Sequence, residues 1–113
     1  MVSSCVFCKI VNGDIKSDIV YETKDVLAIK DIAPQAPHHY LIIPKSHIPT
    51  SQDVKDPSIW VNLMKVLTTV AERMGLADSG YRVVINCGSQ ACQSIFHLHL
   101  HLLSGRKFGW PPG

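Results

Sequence analysis

Apolar residues recur along this chain with two different periods, and the switch between them marks out the elements. Between Pro57 and Gly75, Ile59, Trp60, Leu63, Met64, Leu67, Val70, Ala71 and Met74 recur three and four residues apart, the spacing that gathers side chains on one face of a helix. Asp56 is suited to cap that helix. Pro57 suits its first position, where a missing N–H costs nothing, and Gly75 closes it. Trp60 and Met64 are read as core. Nearer the start, Cys5–Gly13 predicts one or two helical turns that end on Gly13 as a left-handed residue.

Elsewhere the period is two, or the apolar run is short and unbroken. Residues 18–23 and 26–31 are rich in strand formers and joined through Lys24-Asp25, which predicts a hairpin. Pro34 and Pro37 break the chain, 40–43 is a buried strand closed by Pro44, and 81–86 is another lying between Gly80 and Gly88. Residues 95–103 alternate strictly, so that Ile95, His97, His99, His101 and Leu103 face one way and Phe96, Leu98, Leu100 and Leu102 the other. Five strands and two helices in this order, joined by hairpin-length links, predict an α+β fold. Its centre is a five-stranded antiparallel sheet with one long and one short helix.

At 113 residues, with no internal repeat and no linker-like stretch, the chain reads as a single domain over 1–113. Lys and Arg exceed Asp and Glu by 11 − 9 = 2 without forming a basic run, so no nucleic-acid partner is expected. No apolar run approaches the ~18 residues of a membrane span, and Met1-Val-Ser-Ser4 has neither a cationic nor an apolar leader region. A soluble cytoplasmic protein with no membrane partner is the expectation. The cysteines, at positions 5, 8, 87 and 92, are then expected to be reduced. A small chain this rich in apolar residues has limited interior, which makes an apolar oligomer interface plausible.

The chemistry concentrates in the alternating segment. Side chains two apart on one strand face are ~6.5–7 Å apart, so His97, His99 and His101 can flank a phosphate-sized group along one edge. A neutral imidazole keeps one nitrogen free to attack while a neighbour holds a proton, which suits phosphoryl chemistry near neutral pH. Two other readings stay open on the residues alone: a polar face whose histidines are incidental, and a tri-histidine zinc site. Cys5-x-x-Cys8 has the spacing of half a zinc site, with its second half unspecified. Cys87 and Cys92 read as ordinary loop residues.

Gln93-Ser-Ile-Phe-His-Leu-His-Leu-His101-Leu-Leu resembles the signature of the histidine triad family. The likeness extends, in order, to Cys5–Gly13, Asp31–Pro37, His39–Lys45 with His47, Asn86-Cys-Gly-Ser89 and Trp110-Pro-Pro-Gly113. It covers nearly the whole chain and is strongest to the family's nucleotide-binding branch. The resemblance implies a homodimer with its two sheets joined and a purine nucleotide pocket at the triad. It implies that His99 is the nucleophile and forms a nucleotidyl-histidine, that His101 contacts phosphate oxygens, and that His97 supports His99 by hydrogen bonding. His39 would be the additional histidine near the triad. Ser94 would donate to the phosphate or leaving group, and the amides around Gln93 and Ser94 would bind phosphate. Asp31 would take the ribose hydroxyls, Phe7, Ile10 and Ile32 would line the base pocket, and Asn86 would contact sugar or phosphate. By the same resemblance Cys5, Cys8, His47 and His97 would hold a structural zinc, with no cofactor needed for the chemistry itself.

One departure stands out. Where many relatives carry two glycines before Gln-Ser, this chain has Ala91-Cys92, which puts the phosphate geometry in question. The carboxyl-terminal Trp-Pro-Pro-Gly resembles the ending of the phosphoramidase group, so cleavage of a P–N bond in a purine nucleoside phosphoramidate, giving a monophosphate such as AMP, is the leading expectation. A dinucleoside polyphosphate hydrolase is the enzymatic alternative, and a nucleotide-binding interaction module with vestigial catalysis is the non-enzymatic one.

Overall fold

The computed structural model describes Val2 and Ser4–Gly113; Met1 and Ser3, part of the segment read for a leader, lie outside the described residues. Its elements are α1 (Val6–Asn12), β1 (Ile19–Glu22), β2 (Val26–Lys30), β3 (His38–Pro44), α2 (Ser58–Arg73), β4 (Arg82–Val84) and β5 (Leu100–Ser104), with single 3-10 turns at Ser51–Asp53 and Ser89–Ala91. The five strands form one antiparallel sheet in the order β1-β2-β3-β5-β4.

The alternation along each strand divides the sheet into two faces. Val26 and Ala28, Tyr40 and Ile42, and Leu100 and Leu102 pack with Leu63, Val66, Leu67, Val70 and Ala71 of α2 into the larger core. The intervening residues Leu27, Ile29, Leu41 and Ile43 form a second core under Phe7 of α1. On that second face the register sets Ile29 beside Leu41, Leu41 beside His101, and His39 beside Leu103. A seven-residue helix is only about 10 Å long, so α1 covers part of this face and leaves the His39–His101 end uncovered. The candidate site lies there.

Met64, read as core from its spacing, is half-exposed on α2, and three further local features differ from the sequence reading. The helix α2 begins at Ser58, one residue after the predicted first position; Pro57 precedes it with helical φ, and Asp56 Oδ1 accepts from Ser58 N at 2.9 Å. Strand β4 is shorter than 81–86. The segment 95–103 is not one strand, because pairing starts only at Leu100, opposite Ile42 of β3. Beyond that point β3 runs out at Pro44, which has no N–H to give a neighbour, and the preceding residues instead dock on the following loop through Leu98 N–H to the Ile48 carbonyl. Leaving the ladder also turns Phe96 outward: it is exposed rather than buried beside Leu98. At the other end of the site, Gly13 ends α1 with φ +82°, as its left-handed reading requires.

Candidate active site and metal centre

Because His97 and His99 lie outside the ladder, nearby backbone carbonyls are open to imidazole donors. His97 Nε2 donates to the Pro44 carbonyl at 2.7 Å, and His99 Nδ1 donates to the His97 carbonyl at 2.7 Å. A neutral imidazole carries one proton, so each bond fixes a tautomer. His97 is left with a lone pair on Nδ1, and His99 with one on Nε2. The three rings therefore do not share one edge as the alternation predicts: His97 is fully buried and its Nδ1 faces the cysteines, while of the three only His99 and His101 line the neighbouring cavity. The support that His97 gives to His99 comes from its backbone oxygen and not from its ring.

His101 is fixed from the other side. The Gln35 N–H donates to His39 Nδ1 at 3.0 Å, which places the His39 proton on Nε2. From there it is shared toward His101 Nδ1 at 2.8 Å and, more distantly, Asp31 Oδ2 at 3.4 Å. His101 consequently carries its own proton on Nε2. Burial, reinforced by the neighbouring His99 and His39 and opposed by Asp31, pushes the His101 pKa down to about 4. Burial also lowers His99, against the opposing bond to the His97 carbonyl, and lowers His39, against Asp31. The site thus holds neutral imidazoles at neutral pH: a free Nε2 lone pair on His99 beside an N–H donor on His101, their ring centroids 5.0 Å apart.

These two rings open onto a cavity of about 320 Å³, lined also by Phe7, Ile10, Ile29, Asp31, Ile32 and Ser94. Phe7 is buried and meets the His99 ring edge-on at 5.1 Å, whereas Ile32 is almost wholly exposed at the rim. The Asp31 carboxylate is anchored by Ala33 N–H on Oδ1 at 2.8 Å, which leaves lone pairs on both oxygens for further donors.

On the far side of His97 the sequence-distant halves of the metal motif meet. Cys5 Sγ lies 3.3 Å and Cys8 Sγ 3.6 Å from His97 Nδ1, Cys8 Sγ lies 3.3 Å from His47 Nδ1, and the two Nδ1 atoms are 3.2 Å apart. Tetrahedral zinc with bonds of about 2.3 Å to sulfur and 2.0–2.1 Å to nitrogen has ligand–ligand edges of about 3.3–3.8 Å; the four donors, all within 4.8 Å of one another, lie close to that geometry. The Pro44 bond supplies the orienting partner such a histidine needs, leaving Nδ1 free to coordinate. Asp31, His39 and His101 also bring three candidate donor atoms together. There the Gln35 N–H occupies the only nitrogen of His39 that could lack a proton, and a metal on Nε2 does not fit; nor does a tri-histidine site, because His97 points away.

The HIT domain profile matches residues 12–108 of this sequence. The chain belongs to the HIT family. It is 47% identical over 115 residues to the "14 kDa zinc-binding protein" of Zea mays, covering 98% of this chain and 89% of that one. A HIT family hydrolase from Legionella pneumophila has the same architecture, with a TM-score of 0.94, 47% identity, and coverage of 97% of this chain and 100% of that one. A histidine triad nucleotide-binding protein from Candida albicans superposes with a TM-score of 0.84 at 32% identity, over 97% and 85% of the two chains.

Two residues expected at the ligand in this HIT domain, Asn86 and Gln93, are not among those lining the cavity. Gln93 is buried as a loop pin: its Oε1 accepts from Gly88 N, and its Nε2 donates to the carbonyls of Pro49 and Ile95. Its N–H is also committed, to the Gly88 carbonyl at 3.0 Å, so of the two expected phosphate-binding amides only that of Ser94 remains. The departure at Ala91-Cys92 has a physical content, since Cys92 is held at φ +65°, a conformation that glycine adopts without strain. Lys16, Ser17 and Lys30 at the cavity wall, and Gln35 behind His39, escaped the sequence reading. No local spacing marks them, because β1–β2 pairing and the turn between the two prolines bring them in.

Proposed function

We propose that this HIT protein hydrolyses purine nucleoside phosphoramidates by way of a nucleotidyl-histidine on His99. The observation that carries the reading is the bond from His99 Nδ1 to the His97 carbonyl, which leaves the Nε2 lone pair on the cavity side. His99 Nε2 attacks the α-phosphorus as the P–N bond breaks, and the nitrogen leaves as an amine, taking a proton delivered from solvent at Ser94 on the rim. The positive charge left on the substituted imidazole is stabilised by the Nδ1–H bond to the carbonyl. Water then attacks phosphorus, the P–Nε2 bond breaks, a proton passes to solvent, and the nucleoside monophosphate departs. His101 Nε2–H and the Ser94 amide donate to the non-bridging oxygens, fixed dipoles aimed where charge develops. Asp31 accepts from the ribose hydroxyls, while Phe7, Ile10 and Ile32 flank the base.

Cys5, Cys8, His47 and His97 would hold zinc, which when bound ties α1 to the segment carrying His99. That need for reduced thiols favours the cytoplasm. Half-exposed Val61 and Met64 on α2, with Tyr81 and Ile85 flanking the edge strand β4, support a homodimer that continues the sheet at β4. Trp110 is strongly exposed, as a tail that packs on a second copy would be.

Parallel turnover of adenosine 5′-phosphoramidate and diadenosine polyphosphates tests the reading. Preference for the phosphoramidate is expected. Preference for the polyphosphates would move the chain to that activity, and AMP binding without turnover of either would make it a binding module.

A further inference from the structure

Behind His39 a line of contacts leads out of the site to the carboxyl-terminal segment. Gln35, whose N–H fixes the His39 tautomer, is held on the other side of its Cα as well: its carbonyl accepts from Arg106 Nε at 3.0 Å. Arg106 is itself kept in place, its guanidinium 4.3 Å from the Phe108 ring centroid. Gly105, with φ +97°, lets this segment press on the turn, since a Cβ built there would lie 2.8 Å from Pro37 Cβ. The turn carrying Gln35 is thus gripped between His39 and Gly105-Arg106.

We propose that Arg106 is a positioning residue for the reaction at His99: by holding the Gln35 carbonyl it keeps the Gln35 N–H on His39 Nδ1, and so maintains the tautomer in which His101 donates through Nε2. The inference rests on the reading of His101 as a phosphate donor. Arg106 lies outside the cavity and acts only through the turn. If the Gln35 N–H swings away, the His39 proton can sit on Nδ1, and His39 Nε2 becomes an acceptor. The proton between the two rings must then come from His101 Nδ1, which leaves the His101 Nε2 lone pair facing anionic oxygens. Asp31, 3.4 Å from His39 Nε2, still favours the original tautomer, so loss of Arg106 mixes the two forms without inverting them.

The test is two-bond ¹⁵N–¹H spectroscopy of the histidine-labelled full chain, alongside kinetics on adenosine 5′-phosphoramidate. In the unaltered protein His39 and His101 are each protonated on Nε2. In Arg106→Ala the spectra show mixed tautomers, and kcat falls about fivefold with KM within about twofold, well short of the cost of a fully inverted tautomer. Arg106→Lys, which keeps a donor, restores much of both, and Lys107→Ala changes neither. Gly105→Ala, which pushes on the same turn from the neighbouring residue, gives the same mixing as Arg106→Ala. Single Nε2–H tautomers for His39 and His101 in Arg106→Ala would overturn the proposal, whatever Gly105→Ala shows. The spectra decide this whether or not phosphoramidate is a substrate; failure of the substrate reading would show as absent turnover in the unaltered protein.

Discussion

His99 Nδ1 lies 2.7 Å from the carbonyl oxygen of His97, a residue whose own ring is turned toward Cys5 and Cys8. One residue therefore serves two sites, its backbone orienting the candidate nucleophile and its side chain completing the candidate zinc centre. Anything that moves His97 is felt by both.

Removing the metal centre should show this coupling. Cys5→Ala is expected to lose zinc, assayed as close to one per chain in the unaltered protein, and to lower the melting temperature by about 10 °C or more, because metal binding free energy adds to folding stability. Turnover should fall less than when His99 is removed, since His97 keeps its bond to Pro44. Metal-free unaltered protein whose melting temperature does not rise on zinc addition would contradict the assignment.

The buried imidazoles make stability pH-dependent with a definite sign. His101 is lowered from 6.5 to about 4, so between those values the unfolded chain binds a proton that the folded chain does not, and stability must fall as pH drops through that window. His39 and His99 shift in the same direction. Melting temperature measured from pH 7 to pH 4 should decline, and His101→Asn, which leaves the metal ligands intact, should decline less steeply. Equal slopes would show that His101 is not held neutral by the fold.

Cys92 carries a left-handed φ of +65° in an exposed loop beside the site. Cys92→Gly should relieve strain and stabilise the protein by about 0.5–1 kcal/mol, read as a higher denaturant midpoint at unchanged slope. A lower midpoint would mean that the thiol makes a contact worth more than the strain.

How much of this was legible beforehand varies with the range of the interaction that decides it. The unbroken apolar runs at 26–29 and 40–43 marked strands buried on both sides, and once such a strand is placed each side chain's direction follows from its position. The same rule failed at Phe96 and His97. Where β5 begins depends on where its neighbour β3 ends, and nothing within 95–103 records that. The zinc ligands could be assembled only through resemblance, since Cys8 and His97 lie 89 residues apart. The tautomers of His39 and His101 were invisible, being set by one backbone amide in the turn between Pro34 and Pro37.

The central claim is that His99 Nε2 forms a bond to phosphorus. Rapid quenching of the enzyme during turnover of adenosine 5′-phosphoramidate, followed by intact-mass and peptide mass spectrometry, tests it directly. A transient adduct of one adenylyl group, acid-labile and located on His99, is expected, together with a loss of kcat of about a thousandfold or more in His99→Ala while AMP binding persists. An adduct on another residue, or a His99→Ala protein whose kcat stays within about tenfold of the unaltered enzyme, would contradict it.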